Sequence, residues 1–292
     1  MWLNQGMESD RNVREIEANE ITEVVARLCI QANRRLNEDV CLALQAGRAR
    51  EESPFGQDVL EKLLANARIA QEKQMPLCQD TGMAVIFCEL GQDVHVRGGD
   101  VGAAIHEGVR RGYRAGYLRA SVVGDPLRRV NTGDNTPAVI HYEIVPGEQI
   151  KITVAPKGFG SENGSALAML TPADGVEGVK RFILATVEKA GPNACPPLVV
   201  GVGIGGTMEK AALIAKKSLL RPVGEHNEDE EIAALETELL EAINCLGIGP
   251  AGMGGRVTAL AVHIETFATH IAGLPAAVNL SCHALRHAEA VI

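Results

Sequence analysis

The feature that most restricts the fold of this 292-residue chain is a change of hydrophobic period partway along it. Up to about residue 73 the apolar positions recur at helical spacing, and beyond residue 84 short apolar runs and two-residue alternation appear among further helical stretches. In the first part, Val13, Ile16, Ile21, Val24, Val25, Leu28, Ala32, Leu36 and Val40 trace an amphipathic helical face across residues 13–46. Ser53-Pro54 then supplies an N-cap followed by the one helical position where proline gives up no hydrogen bond, which predicts a second helix running to about Lys73.

In the second part, Ala84 to Leu90 is a short apolar run and Val101 to Ala115 is helix-like. Ile140, Tyr142 and Ile144 alternate with His141 and Glu143, and Ile150, Ile152 and Val154 repeat the scheme beyond Pro146-Gly147, which predicts a hairpin. Ser165–Leu170, Val176–Lys189 and Met208–Leu220 are expected to be helical, Leu198–Val202 a buried strand and Val257–Thr266 an alternating one. Glu228 to Leu246 carries Ile232, Leu235, Leu239, Leu240 and Ile243 on one stripe, behind an acidic run suited to a helix N-terminus. With no internal repeat and no low-complexity linker, residues 1–292 are expected to form a single mixed α/β unit. Its helical region covers about 12–75, and a β-sheet-containing region with packed helices covers about 76–292.

Composition closes off several classes of function. A net charge of -9 and an aromatic content of 3% argue against a nucleic-acid partner, because phosphate backbones select basic surfaces and single-stranded bases select aromatic ones. No stretch approaches the roughly 20 apolar residues that cross a bilayer, and Met1 to Arg14 lacks the basic-then-apolar layout of an export signal. A cytoplasmic protein is expected, and its seven cysteines (29, 41, 78, 88, 195, 245 and 282) are then expected to be free thiols. No C-x-x-C pair occurs, so a zinc finger or ribbon is not indicated.

Three of those thiols sit in unusual company. Pro76-Leu77-Cys78-Gln79-Asp80-Thr81-Gly82 packs a thiol, an amide, a carboxylate and a hydroxyl into one junction with a glycine to turn it. Gly191-Pro192-Asn193-Ala194-Cys195-Pro196-Pro197 is a stiff loop before an apolar strand, and Asn279-Leu280-Ser281-Cys282-His283 lies near the C-terminus. The plain alternative is that all are small buried hydrophobes, yet Cys78, Cys195 and Cys282 occupy polar or proline-rich loops, whereas Cys29, Cys41 and Cys245 belong to helical stretches. Three loop thiolates suit an iron–sulfur cluster with one iron left open. Two glycine-rich stretches compete for attention. Gly201-Val202-Gly203-Ile204-Gly205-Gly206 satisfies the G-x-G-x-x-G pattern, with Glu225 at the distance of a ribose-binding acid, and this admits a nicotinamide-dependent oxidoreductase as a remoter reading. Lys157-Gly158-Phe159-Gly160-Ser161-Glu162-Asn163 joins a cation to flexible backbone and suits an anion or a surface turn.

Together the run Cys78–Gly82, the block Asn131-Thr132-Gly133-Asp134-Asn135-Thr136-Pro137-Ala138, the loop Lys157–Asn163, the block Gly201–Lys210 and the stretch Thr269-His270-Ile271-Ala272-Gly273-Leu274-Pro275 resemble the class I, iron–sulfur-dependent fumarate hydratases and their relative L-tartrate dehydratase. The resemblance extends from about residue 15 to the end and keeps the blocks in order. It implies a [4Fe-4S] cluster on Cys78, Cys195 and Cys282, and a small dicarboxylate substrate. It further implies that Gln79 and Asp80 border that substrate, that Arg119 pairs with one of its carboxylates, and that Lys157 and Gly158 line the pocket. His270, with Asp80, is implied to lie at the reacting centre. Phe159 stands where the family often has a third glycine. Long-chain members carry a further C-terminal domain with the proton-transferring threonine, two arginines and a lysine. This chain, ending at Ile292, resembles the alpha subunit of the two-subunit form. The resemblance therefore implies reversible hydration of fumarate to L-malate, with tartrate dehydration as the close alternative, in an alpha–beta hetero-oligomer whose beta subunit moves the proton.

Overall fold

The computed structural model describes residues 13–292, so most of the N-terminal stretch judged free of an export signal lies outside the described residues. In chain order the elements are β1 (Arg14–Glu17), α1 (Ala18–Arg34), α2 (Glu38–Arg50), α3 (Pro54–Lys73), β2 (Met83–Gly91), β3 (Val94–Arg97), α4 (Val101–Ala115), β4 (Val139–Val145), β5 (Ile150–Lys157), α5 (Phe159–Glu162), β6 (Ala166–Leu170), α6 (Gly175–Ala190), β7 (Leu198–Gly205), α7 (Met208–Ser218), α8 (Glu230–Asn244), β8 (Ala259–Phe267), β9 (Leu274–Ser281) and β10 (Ala288–Val291). The fold is mixed α/β, as expected. Ser53 caps α3 by accepting from the Gly56 N–H at 3.2 Å, with Pro54 at the first helical position. No helix among the described residues is long and apolar enough to cross a membrane.

The chain divides into two compact units. The first comprises the N-terminal stretch through Gln31, Ala84–Ala155 and Ala288–Ile292; the second comprises Ala32–Met83 and Pro156–His287. In the first unit, the buried face of α1 carries Ile21, Val25 and Leu28, that of α4 carries Ile105 and Val109, and Thr22 Oγ1 donates to the Ala104 carbonyl at 3.0 Å. The sheet runs β10-β5-β2-β4, so the hairpin expected from β4 and β5 does not form: β2 lies between them and pairs in parallel with β4. The reason is burial. Ala84–Cys88 is buried on both faces and takes an interior position beside β5, which leaves the largely exposed β4 at the sheet edge, and the Pro146-Gly147 turn carries the chain past it.

The second unit is built on the sheet β6-β9-β7-β8, with β7 parallel to β8 and antiparallel to β9. Successive residues of β7 serve opposite layers. Leu198, Val200 and Val202 join the core made with α6 and α8 through Val179, Ile183, Val187, Leu239 and Ile243. Val199 joins the layer of α2 and α3 with Val40, Leu44 and Leu60. Gly201 and Gly203 face α7, and a Cβ added there meets the Ala215 carbonyl oxygen at 2.3 Å or the Ala211 carbonyl oxygen at 2.2 Å. The glycine spacing that matched a nucleotide-binding pattern is thus accounted for by a helix lying directly on the strand. Residues 165–170 were expected to be helical; instead β6 pairs antiparallel with β9, because pairing with Leu274–Val278 outweighs the helix propensity of alanine, leucine and methionine.

One buried polar centre ties α8 to β8. Glu236, 2% exposed, accepts from the Ile264 N–H at 2.7 Å and pairs with Arg221 at 2.6 Å. Beside it, His263 is 1% exposed; its Nδ1 lies 3.1 Å from the Ser218 carbonyl, which can only accept, so the proton sits on Nδ1. Burial, and after it Arg221, lowers the His263 pKa to about 4.

Two outcomes follow from this packing. Gly203→Ala should lower unfolding stability by ~1–3 kcal/mol, read by urea titration, while Gly124→Ala, whose added Cβ meets nothing closer than 3.7 Å, stays within ~0.5 kcal/mol of the parent. His263 is neutral when folded, so its contribution is whole above the ordinary histidine pKa and is lost as pH falls from about 6.5 toward about 4. Urea midpoints across that window should fall less steeply for His263→Asn than for the parent; parallel slopes would show that His263 does not carry the effect.

Candidate active site

The three loop thiols all belong to the second unit, and two of them are brought together by sheet register. β7 and β9 are antiparallel with Val199 opposite Ser281, so Cys195, three residues before β7, and Cys282, one residue after β9, emerge at the same end of the sheet. The 3-10 turn Gly191–Ala194 delivers Cys195 in a left-handed conformation with φ 56° and ψ 63°, a geometry uncommon for a residue with a side chain. The His283 N–H and Nδ1 both point at the Cys195 carbonyl, at 3.4 and 3.1 Å. Since a carbonyl only accepts, Nδ1 carries the proton, and burial holds the ring's pKa below the usual histidine value.

The Cys78 loop is shaped by Asp80. One carboxylate oxygen accepts from the Gly82 N–H at 3.0 Å and the other from the Phe159 N–H at 2.9 Å. Gly82 has φ 76°, and a Cβ there would stand 2.8 Å from the Lys157 backbone, so this position excludes any other residue on two counts. Gly158 in turn lies against Asp80, where an added Cβ would be 3.2 Å from its carboxylate. The Cys78–Gly82 and Lys157–Asn163 segments are therefore in backbone contact. Phe159 is 47% exposed, so its ring turns outward and leaves its N–H free to reach Asp80.

Burial separates these thiols from Cys29 and Cys88. Burial pushes Cys29 up to about 12, and burial with Glu89 pushes Cys88 up to about 11; both are core side chains. Cys78 and Cys195 are exposed and Cys282 is half-buried. Burial raises the Cys195 thiol most, and Cys282 and then Cys78 raise it further, so both lie within electrostatic reach of Cys195. Beneath them is a buried charge group. Lys157, 7% exposed, lies 3.0 Å from Ser161 Oγ and 3.2 Å from Glu162, which also binds Lys216 and accepts from Asn279 Nδ2 at 3.0 Å. Burial lowers the Lys157 pKa and favours the neutral acid of Glu162, but the two lysines together hold the Glu162 carboxyl below its ordinary value. Two cations and one anion make the group net positive, and its Lys157 lies within electrostatic reach of Cys282.

Among the described residues, no group of three or more His, Cys, Asp or Glu side chains is placed to chelate a single metal ion, and His283 and His287, four apart, turn to Cys195 and Asn37 respectively. Three thiols alone, from separate loops and over a positive charge, are a donor set that fits a polynuclear iron–sulfur group, whose ligands attach to different irons. Gln79 is exposed beside Cys78. His270 sits in the exposed β8–β9 connection; its Nδ1 accepts from the Ala272 N–H at 3.2 Å, which leaves the proton on Nε2. Arg119 belongs to the first unit, on the exposed stretch after α4, where the Asn131–Ala138 block orders the chain: Asn135 Oδ1 accepts from the Ser121 N–H at 2.7 Å and Asn131 Nδ2 donates to the Ala120 carbonyl at 3.0 Å.

Sequence reasoning gave no role to Glu162, Lys216, Asn279, His283 or Arg286. Glu162, Asn279 and His283 lie in stretches it marked for their neighbours, but pairing across 117 residues has no sequence period.

A family model for fumarate hydratase (Fumerase) matches residues 22–291. The chain is 44% identical over 274 residues to a protein named putative L(+)-tartrate dehydratase subunit alpha from Methanocaldococcus jannaschii, covering 92% of this chain and 96% of that one. It is 32% identical over 290 residues to the L(+)-tartrate dehydratase subunit alpha of Escherichia coli O157:H7, covering 98% and 95%. It is 31% identical over 290 residues to the protein of the same name from strain K12, with the same coverage. With a family model matching residues 22–291 and relatives above 30% identity covering nearly the whole chain, this protein is a member of the fumarate hydratase (Fumerase) family.

Proposed function

We propose that this chain is the alpha subunit of a hydro-lyase that adds water to, or removes it from, a four-carbon dicarboxylic acid, with a [4Fe-4S] cluster held by Cys78, Cys195 and Cys282. The observation that supports the reading is that Cys78 and Cys282, from two distant loops, both lie within electrostatic reach of Cys195, with Lys157 of the Lys157–Glu162–Lys216 group in reach of Cys282. Such a cluster, when bound, supplies a Lewis acid at an iron that the protein leaves open. The residues of the chain supply position and charge. Asp80 holds the Cys78 loop against Gly158 and is assigned, with Gln79, to the border of the substrate. Lys157, paired to Glu162, acts through its field on the site rather than as an exposed hand for the substrate. His270 is assigned to the reacting centre, where its Nε2–H is a hydrogen-bond donor. Arg119 is assigned to a substrate carboxylate on the strength of the family resemblance alone. The relatives' name, subunit alpha, supports a beta subunit as partner, to which we assign proton transfer at the carbon next to the hydroxyl. Free thiols that must stay reduced suit the cytoplasm.

Hydration of fumarate to L-malate is the reaction implied by the sequence blocks, and the family description supports it. The name carried by the relatives favours a second reading, loss of water from L(+)-tartrate. The first reaction run in reverse and the second both remove a hydroxyl and the hydrogen on the neighbouring carbon from a hydroxydicarboxylate.

Anaerobic reconstitution of the full chain with iron and sulfide should give broad visible absorption. Cys78→Ser, Cys195→Ser and Cys282→Ser should each remove most of the bound iron, while Cys245→Ser, at the end of α8, leaves it unchanged. A colourless parent that binds no iron sinks the proposal. Assay of the chain with its beta subunit on L-malate and on L(+)-tartrate decides the substrate by the ratio of kcat/KM, with about a hundredfold preference expected for one of them, since a polar pocket strongly rejects an analogue that leaves its groups unpaired.

A further inference from the structure

We propose that Arg286 is a positioning residue that fastens the Cys78 loop to the Cys282 loop, so that the two thiols are presented together before a cluster is assembled; the inference rests on the reading of these cysteines as ligands. Arg286 is 4% exposed. Its Nη2 donates to the Asp80 carbonyl at 2.8 Å, its Nη1 to the Ala284 carbonyl at 3.0 Å and its Nε to Asn33 Oδ1 at 3.3 Å. Asp80 lies two residues beyond Cys78 and Ala284 two beyond Cys282, so a single guanidinium grips both loops at the same offset from their thiols. The other side of Cys78 is held by the same assembly, because the Leu77 N–H donates to the carbonyl of Asn33, itself 1% exposed.

All three partners of Arg286 are neutral oxygens, which means that the residue is not present to neutralise a carboxylate. Burying a cation against carbonyl dipoles alone is costly, and the arrangement uses what only arginine has: several donors fixed in one plane. Lysine reaches one of these oxygens at a time. The Cys195 loop is joined to Cys282 by different means, through His283, and Arg286 makes no hydrogen bond to it. The two fastenings can therefore be told apart.

The test uses the full chain with its thiols reduced and a short bifunctional thiol-alkylating reagent, the cross-linked pairs being quantified by mass spectrometry. Arg286→Ala is expected to lower the Cys78–Cys282 cross-link about fivefold while the Cys195–Cys282 cross-link changes less than twofold, and Arg286→Lys recovers part of the loss. In reconstituted protein, release of iron to a chelator should be about tenfold faster in Arg286→Ala than in the parent, as for other residues that orient metal ligands. Equal loss of both cross-links, or loss of neither, overturns the proposal. Should Arg286→Ala fail to fold by circular dichroism, the decision passes to Arg286→Lys, where an undiminished Cys78–Cys282 yield overturns it. A parent that takes up no iron defeats the cluster reading, whereas the cross-link ratio judges Arg286 by itself.

Discussion

The antiparallel register of β7 and β9 is the constraint on which the rest of the site depends. With Val199 opposite Ser281, the entry to one strand and the exit from the other coincide, and two thiols separated by 87 residues in sequence share one end of a sheet. That register is enforced by burial. β7 has apolar or glycine residues on both faces, one row in the core with α6 and α8, the other against α7 and the α2–α3 layer. A slip by one residue would drive Leu198, Val200 and Val202 into the layer where Gly201 and Gly203 now leave room for α7.

The third thiol is placed by a different kind of force. No strand pairing carries the Cys78 loop; it is held by close backbone contact at Gly82, by the two hydrogen bonds of the Asp80 carboxylate, and by the Asn33 and Arg286 contacts on either side of Cys78. Hydrogen bonds in a poorly solvated region are directional and expensive to leave unmade, so they specify a loop where hydrophobic burial cannot. The partial burial of the Lys157–Glu162–Lys216 group weakens solvent screening, so its net positive charge is felt at Cys282. Packing thus sets where the site is, and polar contacts set its shape and charge.

Much of this was legible in the residues. Ser53-Pro54 announced the start of α3, Val101–Ala115 formed a helix with those bounds, and the acidic run before α8 became its cap and first turn, with Asp229 accepting from the N–H groups of Glu231 and Ile232. Within the stretch 13–46, expected to be one helix, the structure has a strand and two helices, β1 being a strand because it pairs with β3, and the other misjudged elements likewise have a state set by a distant partner. β6 carries helix-forming residues and is a strand because β9 lies beside it, and β4 and β5 look like a hairpin but flank β2. The polar or proline-rich surroundings of Cys78, Cys195 and Cys282 marked them as unlike Cys29, Cys41 and Cys245, and in the structure Cys78 and Cys282 lie within electrostatic reach of Cys195.

By itself, the sequence determined the class of fold, most helix boundaries and the family, and it marked three thiols as candidates. Those are properties written in local period, capping residues and short blocks, which need no knowledge of what lies across the chain. Tertiary structure alone decided that Gly201 and Gly203 seat a helix, that Lys157 is buried against Glu162 rather than open to solvent, and that His283 and Arg286 join the cysteine loops. Each of these depends on groups far apart in sequence meeting at hydrogen-bond or van der Waals distance, and such meetings leave no periodic trace in the order of the residues.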